Sequence, residues 1–486
     1  MTEIVMCQTP PVLHGPSEKE RKYDRQLRLW AASGQAALES ANILLINSGS
    51  GTVGVEALKN LVLPGIGRFT IYDESVLSLD LRGLLAGSPI FTMILYSLPI
   101  QPQDLATIEE YGKRHKTPLL ALHSAGFYSY FRAHLPGTFP IVDTHPDETA
   151  TTDLRLLAPW PELANFAKQL TSDIDNLNNH EHGHLPYVVI LLHYLDKWRE
   201  QHDGAYPLTY KEKTAFRDMV AAAARRDNPE GGEENFDEAV AAVVKNIVPP
   251  SLPSGLKAVL DYTPKDPNEK SSGFWMIAEA IRHFYEKHGC LPLPGSVPDM
   301  KAQSKIYVQL QNIYKTKARQ DAAEVLEMVQ SSPGGEGVDP AEVELFCKNA
   351  AFVKLINSAE GGDSRLPKLV EDELANDANA EMTMMPLSLA PVYLALSATA
   401  HDPSASASSI LSAISGIVPF AAGNERVRQA AEEVARAAGG ELHNISALTG
   451  GMAAQEVIKI ITKQYIPIDN TCVFDGIASR CQVLRI

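Results

Sequence analysis

The chain of 486 residues is short of cysteine, of basic charge and of long apolar runs, and each shortage excludes something. Its five cysteines, Cys7, Cys290, Cys347, Cys472 and Cys481, are odd in number, scattered, and form no C-x-x-C pair. That pattern excludes a disulfide framework and fits reduced thiols in a cytosolic or nuclear protein. Lysine and arginine number 43 against 59 aspartates and glutamates, a formal charge of −16. A general affinity for nucleic acid or an anionic membrane surface, which needs a basic face, is therefore not expected. No apolar run approaches the roughly 20 residues of a membrane-spanning helix. The first residues, with Glu3, Pro10, Pro11 and Pro16, lack the basic-then-apolar plan of a secretory signal.

What is there is the balance of a globular protein, 45% hydrophobic and 21% charged, in a chain long enough for two or three domains. Residues 17–40 read as two short helices broken at Gly34. Residues 42–47 (NILLIN) read as a strand, 53–63 as a helix packed on a sheet, and 68–73 (RFTIYD) as a second strand, which together make a βαβ unit. Further strands are expected at 92–98, 118–122 and 139–142, with a helix at 104–114. The crossover from 74 to 91 is short and can supply only one or two helical turns. From about 161 the periodicity becomes helical, at 161–170, 187–201, 211–226, 234–246 and 274–288. Acidic turn-rich loops are expected at 227–234 and 331–338, and a mobile Ser/Ala-rich stretch at 398–409. Helices at 424–438 and 445–465 and strands at 471–474 and 482–486 close the chain.

The strongest local signal is G-S-G-T-V-G at 49–54, between a strand and a helix. Gly49, Gly51 and Gly54 allow a backbone to approach a phosphate at a helix N-terminus, and Asp73, 19 positions beyond Gly54, suits a contact to a ribose hydroxyl. The plain alternative is a tight turn. Dehydrogenases that use a nicotinamide and adenylating enzymes share this fingerprint.

The flanks separate the two classes. Lys22-Tyr23-Asp24-Arg25-Gln26-Leu27-Arg28-Leu29-Trp30 lies upstream, LKNLVLPGIG occupies 58–67, and Gly450-Gly451-Met452-Ala453-Ala454-Gln455-Glu456-Val457-Ile458-Lys459 lies near the end. Together they closely resemble the ubiquitin-activating enzyme superfamily. Lys211-Glu212-Lys213 with Phe216-Arg217, Glu233-Glu234-Asn235-Phe236, and Pro298-Asp299-Met300 followed by Leu310-Gln311-Asn312-Ile313-Tyr314 narrow the resemblance. It falls on the regulatory-subunit family of the heterodimeric neddylation-activating enzymes, over most of 19–350 and 440–486.

The resemblance implies an α/β, Rossmann-like ThiF-type domain of the adenylating kind, inactive in its own right, formed by 1–165 and 440–486. A large α-helical domain resembling the family's catalytic-cysteine domain is inserted at 166–439. It implies a non-catalytic regulatory subunit acting with a catalytic subunit, a ubiquitin-like modifier and a conjugating enzyme. ATP and Mg would be bound by the partner and no cofactor by this chain. Arg25 would reach the partner's ATP, with a surface or interface salt bridge as the alternative. A self-sufficient adenylating enzyme or a dehydrogenase is the competing reading.

Gly49, Gly51, Gly54 and Asp73 are expected to be vestigial. Active adenylating subunits follow the ribose acid with Asn, an Arg-Gln pair and Lys, whereas here Glu74, Ser75 and an apolar run follow, with Arg82 the only cation before Lys113. The family also carries a longer crossover at this point. Cys290, between Gly289 and Pro292, reads as an incidental thiol and not as a thioester nucleophile. His180, His182 and His184 (HEHGH) read as a helix entry and not as a metal site.

Overall fold

A computed structural model describes residues 16–73, 80–147, 152–226, 232–263, 273–357 and 365–486, in two units, Met1–Ile141 with Ile356–Ile486, and Val142–Leu355. Helix α1 (Glu18–Lys22) starts from a capping box between Ser17 and Glu20. Helix α2 (Asp24–Ser40) is bent, but at Trp30 and Ala31 (φ 55°), not at the expected Gly34. Gly34 is needed for closeness instead, since a Cβ there would lie 2.7 Å from the Trp30 Cβ. The buried indole donates to Gln35 Oε1 at 3.1 Å, and Gln35 donates to the Pro64 carbonyl at 3.0 Å. Seating this large side chain sets the bend.

Strand β1 (Asn42–Asn47), helix α3 (Thr52–Val62) and strand β2 (Arg68–Asp73) form the expected βαβ unit. The crossover to β3 (Met93–Ser97) carries α4 (Leu81–Gly87), only two turns, capped by Asp80. Helix α5 (Pro102–His115) leads to β4 (Leu119–Ala125). Strand β5 (Tyr128–His134) escapes the sequence reading because it is buried on both faces, polar Ser129 and Tyr130 included, and shows no apolar alternation. The chain leaves this unit on β6 (Thr138–Val142).

The second unit is helical: α6 (Pro161–Thr171), α7 (Asn179–His182), α8 (Tyr187–Gln201), α9 (Tyr210–Ala222), α10 (Glu234–Asn246), α11 (Ser254–Leu260), α12 (Gly273–His288), α13 (Ser304–Gln330) and α14 (Pro340–Lys348). Val188 to Leu191 on α8 are fully buried, and Phe216, Phe236, Leu310 and Tyr314 close the same core. The long α13 was not read from sequence because its buried stripe is thin: Leu310, Tyr314, Asp321, Val325 and Val329. The 331–338 loop holds a short 3-10 turn at Gly335–Gly337, and residues 227–231 of the other acidic loop lie outside the described residues.

The chain returns on β7 (Val353–Asn357), followed by α15 (Leu366–Ala378), α16 (Ala380–Thr383), α17 (Ala390–Ser397), α18 (Ala407–Ile417), α19 (Glu425–Ala437), α20 (His443–Thr462), β8 (Thr471–Asp475) and β9 (Arg480–Leu484). These complete a seven-stranded sheet in the order β2-β1-β3-β4-β5-β8-β9, parallel through β4 and antiparallel beyond it.

The expected boundaries at 165/166 and 439/440 are corrected here. Residues 142–165 go with the helical unit, where Leu154, Leu156 and Leu163 are core. Residues 356–439 go with the sheet, because α17, α18 and α19 share one core with Leu44, Ile46, Ile94 and Val473. The stretch expected to be mobile is bound to the sheet unit: the Ile100 amide donates to the Ala400 carbonyl at 3.0 Å, and Ser406 caps α18.

On the other face α3 packs against α20 at Gly450, where a Cβ would lie 2.7 Å from the Ala57 nitrogen and the Glu56 Cβ. Gly450→Ala is expected to cost about 1–3 kcal/mol despite alanine's higher helix propensity. Gly451→Ala, with nothing within 4 Å of the added carbon, is expected to be neutral or stabilising. Urea midpoints of the two variants check this.

Burial also makes the sheet unit acid-sensitive. His123 on β4 is 2% exposed, and burial pushes its imidazole down to about 4 from 6.5. Its Nε2 lies 3.1 Å from the Thr399 hydroxyl, which itself donates to the Leu396 carbonyl, so the imidazole is the donor. Between pH 6.5 and 4 the unfolded chain takes a proton there that the folded chain refuses. Stability is unaffected above that window and falls by on the order of 3 kcal/mol across it. In His123→Leu the urea midpoint should vary less steeply with pH over this range.

Candidate functional site

From β1 the chain turns through α3 to β2 on one side, and from β3 it turns through α5 to β4 on the other, which makes the carboxyl ends of β1 and β3 the switch point of the parallel sheet. A crevice of about 290 Å³ opens there, lined among others by Asn47, Gly49, Gln101, Asp104, His401 and Pro403. This is at the lower end of the range of about 300–1,000 Å³ usual for small-ligand sites. Among the described residues no lysine or arginine lines it, and Asp104 is the one carboxylate that does. From these residues a triphosphate would meet no lysine or arginine counter-charge and the like charge of Asp104.

Gly49 and Gly51 are left-handed (φ 61° and 67°), and Gly51 is the N-cap of α3. The side chain of Asn47 takes up the space behind the loop. A Cβ on Gly51 would lie 2.2 Å from its Nδ2, and one on Gly54 would lie 2.8 Å from its Oδ1. The loop is braced to β3, with the Ser48 amide donating to Ser97 Oγ at 2.7 Å and the Ser48 hydroxyl to the Ser97 carbonyl at 2.6 Å. At the first turn of α3 the Val53 amide donates to Glu441 Oε2 at 2.8 Å.

Of the four residues singled out, only Gly49 lines the crevice. Gly51 and Gly54 back onto Asn47, and Asp73 is half-buried at the end of β2, in register with Asn47. Asn47, Asp104 and Glu441 were not read as site residues. Asn47 is the last residue of the expected strand, and Glu441 reaches α3 across 388 positions, a pairing that no local pattern announces.

Arg25 stands on the first turns of α2, exposed, and makes no ion pair or hydrogen bond among the described residues. Arg28, one turn on, is paired with Asp24 at 2.9 Å. Arg28 thus makes a surface salt bridge, and the Arg25 guanidinium has no partner among the described residues.

In the helical unit Cys290 borders a cavity of about 650 Å³. Burial pushes its thiol up, opposed by the Arg155 guanidinium, whose Nη1 lies 2.8 Å from Sγ. The nearby His288 imidazole is engaged through Nε2 by Glu324 Oε1 at 2.9 Å, and it is the His288 carbonyl, at 3.4 Å, that the sulfur contacts. Cys347 and Cys472 are buried, with thiols pushed up to about 12, and Cys7 lies outside the described residues. Of the HEHGH histidines, His182 is buried and bound to Glu233 Oε1 at 2.7 Å, which fastens α7 to α10. Among the described residues no group of His, Cys, Asp and Glu is arranged to hold a metal.

The sheet, the glycine loop and the α3 start are those of the ThiF class, and the ThiF family pattern matches residues 23–80. Among solved structures, the crystal structure of E. coli MccB aligns at 12% identity over 40% of this chain and 65% of its own, with a TM-score of 0.21. The NEDD8-activating enzyme E1 regulatory subunit of Xenopus laevis is 32% identical over 535 residues, covering 94% of this chain and 97% of its own. That of Danio rerio is also 32% identical, over 97% of this chain and 99% of its own. The Arabidopsis thaliana regulatory subunit AXR1 is 29% identical over 96% and 97%. The chain belongs to the family of NEDD8-activating enzyme E1 regulatory subunits. The aligned span of 535 residues exceeds the chain's own 486, so the Xenopus relative carries segments that this chain lacks.

Proposed function

We propose that this chain is the non-catalytic half of a heterodimer that activates a NEDD8-type ubiquitin-like modifier and passes it to a conjugating enzyme. The catalytic partner binds ATP and Mg, and this chain binds no nucleotide. The carboxylate of the modifier's C-terminal glycine attacks the α-phosphorus of ATP and pyrophosphate leaves. The partner's cysteine thiolate then attacks the acyl carbon and AMP leaves. The observation that carries the reading is the crevice, small, with no lysine or arginine among the described residues that line it and with Asp104 in its wall.

What this chain adds is position and charge. Arg25 has a free guanidinium whose fixed donor fork and permanent charge suit phosphate oxygens, and it is assigned to the partner's ATP. The partner's seat is assigned to the open flank of α3. In the parallel register Phe69 and Ile71 of β2 stand beside Ile43 and Leu45, on the face that α3 covers further along the sheet. Both are exposed, and so are Val55 and Val62, seven positions apart on the side of α3 turned away from α20. Exposed apolar side chains gathered on α3 and the neighbouring edge strand mark an interaction surface. Cytoplasm and nucleus are the proposed compartments, in keeping with Cys290, Cys347, Cys472 and Cys481 as free thiols.

Pyrophosphate exchange, measured with each chain alone and with both, tests the reading. Exchange is expected only when both chains are present. Exchange, or binding of ATP or NADH, by this chain alone would restore the self-sufficient enzyme or the dehydrogenase.

A further inference from the structure

The start of α3 is where a loop of this type holds a phosphate, because unsatisfied N–H groups and the positive end of the helix dipole converge there. In this chain a carboxylate of its own stands at that point. Glu441 Oε2 accepts from the Val53 amide at 2.8 Å and from the Ser446 hydroxyl at 2.6 Å. Ser446 is fully buried on α20, with Ser124 Oγ at 3.4 Å.

The turn that delivers Glu441 is itself fastened. Ala438 and Gly439 are left-handed (φ 47° and 75°) and swing the chain from α19 back toward α3. The Ser50 hydroxyl of the glycine loop donates to the Gly439 carbonyl at 3.1 Å, and the Gly126 amide donates to the Gly440 carbonyl at 2.9 Å. Gly439 lies so close to Pro403, a wall of the crevice, that a Cβ would come within 2.6 Å of the Pro403 Cβ.

We infer that Glu441 is a built-in counter-ion that latches the 438–442 turn onto the glycine loop and closes the remnant site from inside. The loop keeps the shape of an occupied phosphate cradle with no nucleotide, and that shape holds α3 and α20 in place. An incoming phosphate has to displace a tethered carboxylate, which competes at high effective concentration. The inference rests on the reading of the crevice as silent and adds what keeps it so.

Hydrogen exchange of the 49–57 segment in the full chain tests it, with and without saturating inorganic phosphate. In Glu441→Ala the Val53 amide is expected to exchange about tenfold faster or more, as loss of a bond to a charged acceptor requires. Loss of the cap should lower Tm by roughly 2–4 °C. Phosphate should slow the exchange in the variant and leave the wild type unchanged. Unchanged exchange in Glu441→Ala, or equal protection of wild type and variant by phosphate, overturns the latch. Should Glu441→Ala fail to fold, Glu441→Gln keeps the acceptor and drops the charge, and is expected to exchange faster than wild type by a smaller factor. Equal rates overturn the latch there too. ATP binding by the wild-type chain alone would instead overturn the silent crevice, so the two failures are distinct.

Discussion

With Arg25→Ala in the reconstituted heterodimer, the adenylation rate is expected to fall by about 100- to 1,000-fold, the loss that follows removal of one preorganised donor to a developing charge. The side chain is exposed and bonded to nothing among the described residues, so the variant should fold and pair as the wild type does. Its Tm and its affinity for the catalytic subunit should stay unchanged. Arg25→Lys keeps the charge but not the fork and should recover only part of the rate. Arg28→Ala is the matched control: it breaks an exposed pair with Asp24, worth about 0–1 kcal/mol, and should leave the rate within a small factor of wild type. An unaltered adenylation rate in Arg25→Ala would remove this residue from the partner's active site.

The second large effect concerns assembly. Phe69→Asp combined with Ile71→Asp places two carboxylates on the apolar strip beside α3. Buried aromatic and aliphatic anchors at the centre of an interface are worth about 2 kcal/mol or more each, so the double variant should weaken pairing by 100-fold or more. In the isolated chain both side chains face solvent at the edge of the sheet, and its Tm should move little. Titration of the catalytic subunit into wild type and variant reads the difference. Equal affinities would place the partner elsewhere.

Much of the sheet unit was legible in the sequence because its signals are local. NILLIN and RFTIYD are strands by apolar run and boundary, G-S-G-T-V-G is a turn into a helix by its glycines, and Gly439-Gly440 stops α19. The shortness of the crossover was also plain, since the seven residues of α4 are the helix that its described residues supply between β2 and β3. What failed was non-local. The bend in α2 depends on where Trp30 is seated against Gln35, and Gln35 on Pro64, 29 positions away. The boundary at 439/440 looked natural because the glycines there end a helix, yet α19 packs against the sheet it follows and does not close a separate domain.

The site was legible in its ancestry and less so in its present state. The scarcity of cations after Asp73, with Arg82 alone before Lys113, could be read directly, but Asp104 in the crevice wall and Glu441 on the Val53 amide could not. Both come from segments with no motif, brought in by the return of the chain after the helical unit or by the helix after β3. Arg25 was singled out by resemblance alone, and physical chemistry gives it standing only through its freedom next to the paired Arg28.

Thioester trapping shows whether this chain takes part in activation without carrying the chemistry. The chain, a catalytic subunit, ATP, Mg and the modifier are mixed, and the thiol-sensitive adduct is resolved by chain on a non-reducing gel. An adduct is expected on the catalytic subunit, formed only when both chains are present and unchanged by Cys290→Ser. A thiol-sensitive adduct on this chain, or one formed in the catalytic subunit's absence, would contradict it.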